Sequence, residues 1–248
     1  MAGIDSFAKL VLHADGTDAG TTFTDSSSSG HTVTAVGNAQ LDTAQQKFGT
    51  ASGLLDGTGD WLTVPDSADW DFGTGDFTVD AWVRFPTAGG SVSNEVLVSR
   101  GNENFVIKIS SDEIEVKLVS TTPITKATTI VVDTWYHIAV VRTGTDVMIF
   151  VDGTQIETTA TSSVDVTYTD QLAIGVNDVA GTPAQPFGGW IDEFRWSKGI
   201  ARWTTDFTPP TAAYSTTDIK TYNGLAVASV KTKNGLAIAS VKTINGLA

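Results

Sequence analysis

The chain has 248 residues, with 28 acidic against 15 basic side chains, a net charge of −13, and no cysteine. That length supports one large β domain or two small domains with a sizeable core, and a composition 41% hydrophobic and only 17% charged excludes wholesale disorder. The acidic balance argues against a nucleic-acid partner, which needs a basic footprint; the absence of cysteine removes disulfides, thiolate metal sites and cysteine nucleophiles together.

The opening Met1-Ala-Gly-Ile-Asp-Ser has no basic stretch followed by an apolar one, so synthesis in a cytoplasm is expected. No apolar run approaches the roughly 18 residues of a membrane span, so no membrane insertion is expected. Strict alternation then marks strands. In Phe77–Phe85, Phe77, Val79, Ala81, Val83 and Phe85 share one face and Thr78, Asp80, Trp82 and Arg84 the other. Trp135–Arg142 is apolar on both faces, as in a covered strand, with His137 among its residues. Thr143-Gly144-Thr145-Asp146 supplies a turn, and Val147–Val151 runs into Asp152-Gly153, a strong hairpin signal. Trp190–Trp196 alternates again, with Trp190, Asp192, Phe194 and Trp196 on one side. No apolar stripe of helical period persists for three turns, and Thr, Val, Gly and Asp dominate throughout, so many short strands at turn spacing predict a sandwich or jelly roll.

A composition shift follows. Residues 219–248 hold four lysines and no acid, leaving residues 1–218 with eleven basic against 28 acidic residues, a net of −17. With the stretch from Thr208-Pro209-Pro210 to Asp218 as a linker, the reading is a domain over 1–208, a linker over 209–218 and a tail over 219–248. The tail repeats every 11 residues: Ile219–Ser229, Val230–Ser240 and a shortened Val241–Ala248. Each repeat carries an Asn-Gly-Leu (Asn223, Gly224, Leu225; Asn234, Gly235, Leu236; Asn245, Gly246, Leu247), which predicts a turn leading into a short apolar strand. A unit this small cannot bury its own apolar side, so these nine residues are assigned to oligomerisation or anchoring.

Five motifs, in order, resemble those of the laminin-G-like, concanavalin A-like lectin/glucanase jelly rolls. They are Leu55-Asp56-Gly57-Thr58-Gly59-Asp60-Trp61-Leu62-Thr63-Val64-Pro65, Phe77–Val83, Trp135–Arg142, Phe150-Val151-Asp152-Gly153 and Phe187–Arg195. The resemblance spans about residues 7–207 and implies an all-β fold: an antiparallel β-sandwich followed by the short β-repeat tail. The Ser/Thr-rich opening around Thr22–Ser27 is similar in style to versions of the fold in bacteriophage structural proteins. It implies a non-enzymatic virion surface protein, such as a capsid decoration, head-fibre or tail-fibre subunit. Other virion proteins would be partners of the tail, cell-surface glycans would be partners of the jelly roll, and the oligomer, by analogy with fibre-like proteins, would be a trimer. The alternative is a carbohydrate-binding module, with calcium as a candidate cofactor.

Glycoside hydrolysis ranks last. Hydrolases of this fold set acids alternately along one strand, and the chain has no Glu-x-Asp-x-Glu triplet. Asp192 and Glu193 are adjacent, which on a regular strand places them on opposite faces. Glu113 and Glu115 are spaced for one face, where a solvated strand surface is the simpler reading. Three histidines, His13, His31 and His137, have no metal-ligand spacing. Calcium takes oxygen ligands, and the family resemblance points to Asp192, with Asp15 and Asp25 from the N-terminal loop; the Asp60/Asp66 region is a weaker option. Sugar binding needs exposed aromatic rings. Trp61, Trp70 and Trp203 lie near loops and are the candidates, whereas Trp82, Trp135 and Trp190 sit inside the family motifs and are expected to pack.

Overall fold

The computed structural model describes residues 3–86, 95–101, 104–118, 124–160, 164–179 and 182–216, and the tail dipeptides 221–222, 225–226, 232–233 and 236–237. In chain order the strands are β1 (Gly3–Ile4), β2 (Ala8–Leu12), β3 (Thr34–Val36), β4 (Gln40–Asp42), β5 (Ser52–Asp56), β6 (Trp61–Val64), β7 (Phe77–Arg84), β8 (Glu95–Arg100), β9 (Phe105–Ile109), β10 (Glu113–Leu118), β11 (Ile124–Ala127), β12 (Trp135–Thr143), β13 (Asp146–Val151), β14 (Thr154–Ala160), β15 (Leu172–Ile174), β16 (Asn177–Val179), β17 (Thr182–Ala184) and β18 (Gly188–Lys198). One 3-10 turn, Ala68–Trp70, is capped by the Ser67 side chain.

Two antiparallel sheets face each other. One has seven strands in the order β11-β10-β9-β8-β15-β6-β3; the other has eight, in the order β14-β13-β12-β7-β18-β5-β4, with β2 also beside β18. The first half of β18 pairs with β5 and the second half with β2, while its other edge pairs with β7. The expected hairpin is present: Thr143 pairs with Asp146 across the Gly144 turn, and Asp152 (φ +48°) and Gly153 (φ +75°) form the left-handed pair that joins β13 to β14.

The alternation in β7 directs Phe77, Val79, Ala81, Val83 and Phe85 into the core between the sheets, as expected. Phe72 lies flat between Phe77 (ring centroids 4.2 Å apart) and Trp196 (4.4 Å). A small void by Leu12, Phe23 and Ile191, about 10 Å³, has room for one water at most.

The chain divides into two compact units, 1–214 and 215–248. Within the first, the stretch expected as a linker packs on the sandwich as far as Tyr214, which is buried. Within the second, Thr221–Tyr222 pairs with Leu225–Ala226, and Thr232–Lys233 with Leu236–Ala237. In both pairs two residues separate the innermost partners. Asn223, Gly224, Asn234, Gly235, Asn245, Gly246 and Leu247 lie outside the described residues.

Candidate functional site

The outer face of the eight-stranded sheet is partly covered by the chain that follows β18. Ala139 and Val141 of β12 and Met148 and Phe150 of β13 point outward, and Ala201, Trp203 and Phe207 pack on them. Trp203 and Phe207 stack at 4.0 Å. The Phe207 amide donates to the Gly153 carbonyl at 2.9 Å. This crossing needs a glycine: a Cβ on residue 153 would come within 1.9 Å of the Phe207 carbonyl oxygen.

Beneath this strap lies a buried polar cluster. Arg195 Nε and Nη2 donate to the two oxygens of Asp80, each at 3.0 Å. The Tyr214 hydroxyl donates to Asp80 Oδ2, and His137 Nε2 lies 3.4 Å from the same oxygen. The Arg195 guanidinium also stands 3.9 Å from the Tyr214 ring centroid. Burial alone would raise the Asp80 pKa, but the charge of Arg195 and the contact with His137 outweigh it and hold the carboxyl well below its ordinary value.

A β-bulge sets the rest of the cluster. Asp192 pairs with Trp82 and Arg195 with Asp80, so β18 gains a residue relative to β7. Glu193 takes φ +50°. Ile191 and Phe194, three apart rather than two, both face the core, and Asp192 and Glu193 are both left on the outer side. The expectation that they occupy opposite faces is thereby corrected. Glu193 accepts from the Tyr214 amide at 2.7 Å and contacts His13 Nδ1 at 2.7 Å. The Glu193 contact raises the His13 pKa against the opposing effect of burial. Asp192 Oδ2 accepts from the successive amides of Lys47 and Phe48, at 2.8 and 3.0 Å, while its Oδ1 is buried without a protein partner. Burial pushes the Asp192 pKa up to about 7 despite those two amides.

The loop so held forms one wall of a groove of about 570 Å³ on this outer face, lined by Lys47, Phe48, Trp82, Trp135, Asp152 and Thr208–Thr211. Trp82 lies at its base but is buried, 5% exposed: the Lys47 ammonium sits 3.7 Å from its ring centroid and Phe48 meets it edge-on. Trp82 Nε1 has no protein partner. Burial pushes the Lys47 pKa down, opposed by Asp152 and Asp192. Asp152 is fixed at the rim by the His137 amide, 2.8 Å from Oδ1.

The structure separates most residues singled out from the sequence. Trp61 is half-buried on β6, in the other sheet. Trp70, taken as a sugar platform, is instead core: the 3-10 turn carries it inward, where it is fully buried, donates to the Pro65 carbonyl at 2.9 Å and meets Trp196 edge-on. Trp203 belongs to the strap. Of the three indoles expected to pack, Trp82 is buried as expected, beneath Lys47 and Phe48; Trp135 instead lines the groove, and Trp190 is half-buried on β18.

The three carboxylates expected as calcium ligands are not brought together as a group. Asp25 is consumed by the amides of Val11, Ser27 and His31 and the Ser27 hydroxyl. Asp15 is held by the amide and hydroxyl of Thr50, and Asp192 holds the Lys47 loop. Asp60 bonds the Asn38 and Asp56 amides, and Asp66 pairs with Arg100. Among the described residues no three His, Asp or Glu side chains are placed to hold a metal. The histidines sit with three different acids: His13 with Glu193, His31 with Asp69, His137 with Asp80. Glu115 pairs with Lys108 at 3.0 Å on β10, near Glu113 and in the seven-stranded sheet.

Two facing antiparallel sheets with an aromatic groove on one outer face define a lectin-like β-sandwich. The chain belongs to the concanavalin A-like lectin/glucanases superfamily, whose laminin-G-type sequence model matches residues 56–202. Comparison with curated protein sequences gave no match. Among solved structures, domain 4 of AbnA, an extracellular GH43 arabinanase of Geobacillus stearothermophilus in complex with arabinotriose, is 18% identical with a TM-score of 0.59, covering 78% of this chain and 93% of that one. The binding domain of Paraclostridial Mosquitocidal Protein 1 is 14% identical with a TM-score of 0.57, covering 78% of this chain and 49% of that one. The binding domain of botulinum neurotoxin DC, in complex with rat synaptotagmin II, is 14% identical with a TM-score of 0.58, covering 80% and 50%. The chain thus spans about half the length of the toxin binding domains it matches, and the likeness is one of fold.

Proposed function

We propose that this is a non-catalytic, lectin-like protein that binds a saccharide in the groove against Trp135. The carrying observation is the groove itself, an open aromatic cleft with a few polar groups at its rim. Asp152 is the one carboxylate among its described lining residues, where glycoside hydrolysis takes a pair. The arabinotriose bound by a domain of the same fold supports the ligand class. Calorimetric titration with a panel of oligosaccharides tests the reading. A binder should emerge whose affinity falls about tenfold in Trp135→Ala; binding unchanged by that substitution would place the ligand elsewhere, and release of reducing sugar would overturn the non-catalytic assignment.

The tail supports a finer reading: a bacteriophage virion surface protein that displays the sandwich and assembles through its repeats. Its described dipeptides are paired strands of two residues each, too short to stand alone in water. Light scattering on the full chain and on a chain ending at Thr217 should give an oligomer, a trimer by this reading, and a monomer. Two monomers would refute assembly through the tail.

A further inference from the structure

We infer that the groove continues across the sheet to Trp190, so that its ligand is an uncharged saccharide chain rather than a single terminal sugar. This rests on the reading of the groove as a saccharide site. Trp135 of β12 and Trp190 of β18 are both register partners of Arg84 on β7, so the three form one row across the strands. Their chain neighbours Tyr136, Val83 and Ile191 contact the core, which directs Trp135, Arg84 and Trp190 to the outer face, where each is half-buried. Two strand spacings set the indole-bearing backbones roughly 10 Å apart, about the length of two linked sugar rings.

The row is rigid. Trp190 Nε1 donates to Asp42 Oδ2 at 2.7 Å. Arg84 is tied to the Asp133 carboxylate at 3.0 Å and stands 5.8 Å from the Trp190 ring centroid. An aromatic surface fixed before binding loses little freedom on binding, which suits Trp190 as a second stacking station beside Trp135. Charge decides the ligand's character. The cations of the strip, Lys47 and Arg84, already lie against indole rings, and Asp42, Asp133 and Asp152 border it on a protein of net charge −13. An acidic saccharide meets repulsion there, whereas a neutral one offers apolar ring faces to the indoles and hydroxyls to the carboxylates.

The test is calorimetry on the full chain with linear arabino-, xylo- and cello-oligosaccharides of two to six units, and with oligogalacturonates as the acidic counterpart. Affinity for one neutral series should climb with length and then level off. Trp190→Ala should weaken the longest member about tenfold while the disaccharide loses far less; Trp190→Phe, keeping a ring, should recover part of the loss; Trp135→Ala should weaken every length. Affinity independent of length, a Trp190→Ala protein equal to wild type at every length, or tighter binding of oligogalacturonate would overturn the extension and leave the groove standing. If no member of any series binds, the groove reading fails and the extension with it.

Discussion

Replacing Asp80 by Asn removes the charge at the centre of the cluster under the strap while keeping the side chain's size. Asp80 and Arg195 are both fully buried, and the substitution leaves the guanidinium without a counter-charge and weakens the acceptor of the Tyr214 hydroxyl. Breaking a buried pair from one side typically costs about 3–5 kcal/mol. For a unit of this size each kcal/mol moves Tm by about 2–4 °C, so a fall of roughly 6–20 °C is expected in scanning calorimetry at pH 7. The pH dependence carries a sign. The folded pKa of Asp80 lies below the unfolded one, so its stabilisation is fully present above the unfolded value, near 4, and is lost as pH falls through the folded value. The gap between wild type and variant should therefore persist at pH 5 and shrink only in stronger acid. Adding Arg195→Met to the variant should recover part of the loss, because the uncompensated charge goes with it. A Tm drop under about 2 °C, or a double variant worse than the single one by the full cost again, would refute the account of this pair.

Asp192 has the opposite sign. Its folded pKa is raised to about 7, so its contribution is fully present below the unfolded value near 3.8 and is lost as pH rises through about 7. Asp192→Asn, which keeps an acceptor for the Lys47 and Phe48 amides, should melt with wild type at pH 4 and above it at pH 8, by up to about 4 kcal/mol; matching pH profiles would sink this. Gly153→Ala meets both a left-handed φ and the Phe207 carbonyl, and should destabilise by about 2 kcal/mol or more. It should also speed amide hydrogen exchange at Phe207; exchange unchanged there would mean the strap does not depend on this crossing.

Much of the sandwich was legible because burial enforces a period of two. β7 shows it cleanly, since one face fills the core and the other lies under the strap and the Lys47 loop. The doubled apolarity of β12 likewise announced two covered faces, though not that the second cover was Trp203 and Phe207. β18 exposes the limit of periodicity. Its alternation is broken at Glu193, a non-glycine residue with positive φ that no local pattern marks, and the bulge turned two supposedly opposed carboxylates into neighbours. Trp70 was misread because Pro65-Asp66-Ser67-Ala68-Asp69 has the composition of a surface loop; the Ser67 cap and the indole's bond to Pro65 turn it inward. The groove was illegible for a related reason. Trp135 lies in β12 and Trp190 in β18 ahead of its bulge, where the alternation holds, but whether an outward face meets solvent or a covering segment depends on contacts distant in sequence.

Those distances have a consequence for how the protein is made. His13 meets Glu193 across 180 residues, Arg195 meets the Gly3 carbonyl across 192, and Arg202 pairs with Asp5 across 197. A chain emerging from the ribosome therefore holds β2 and its flanking acids without their partners until nearly the whole first unit has been synthesised. Folding of such non-local topology is slow, and unpaired strands are exposed to association while they wait. The acidic excess of residues 1–218 favours repulsion between nascent copies during that interval, and the lysine-bearing apolar repeats follow β18 and the strap in the order of synthesis.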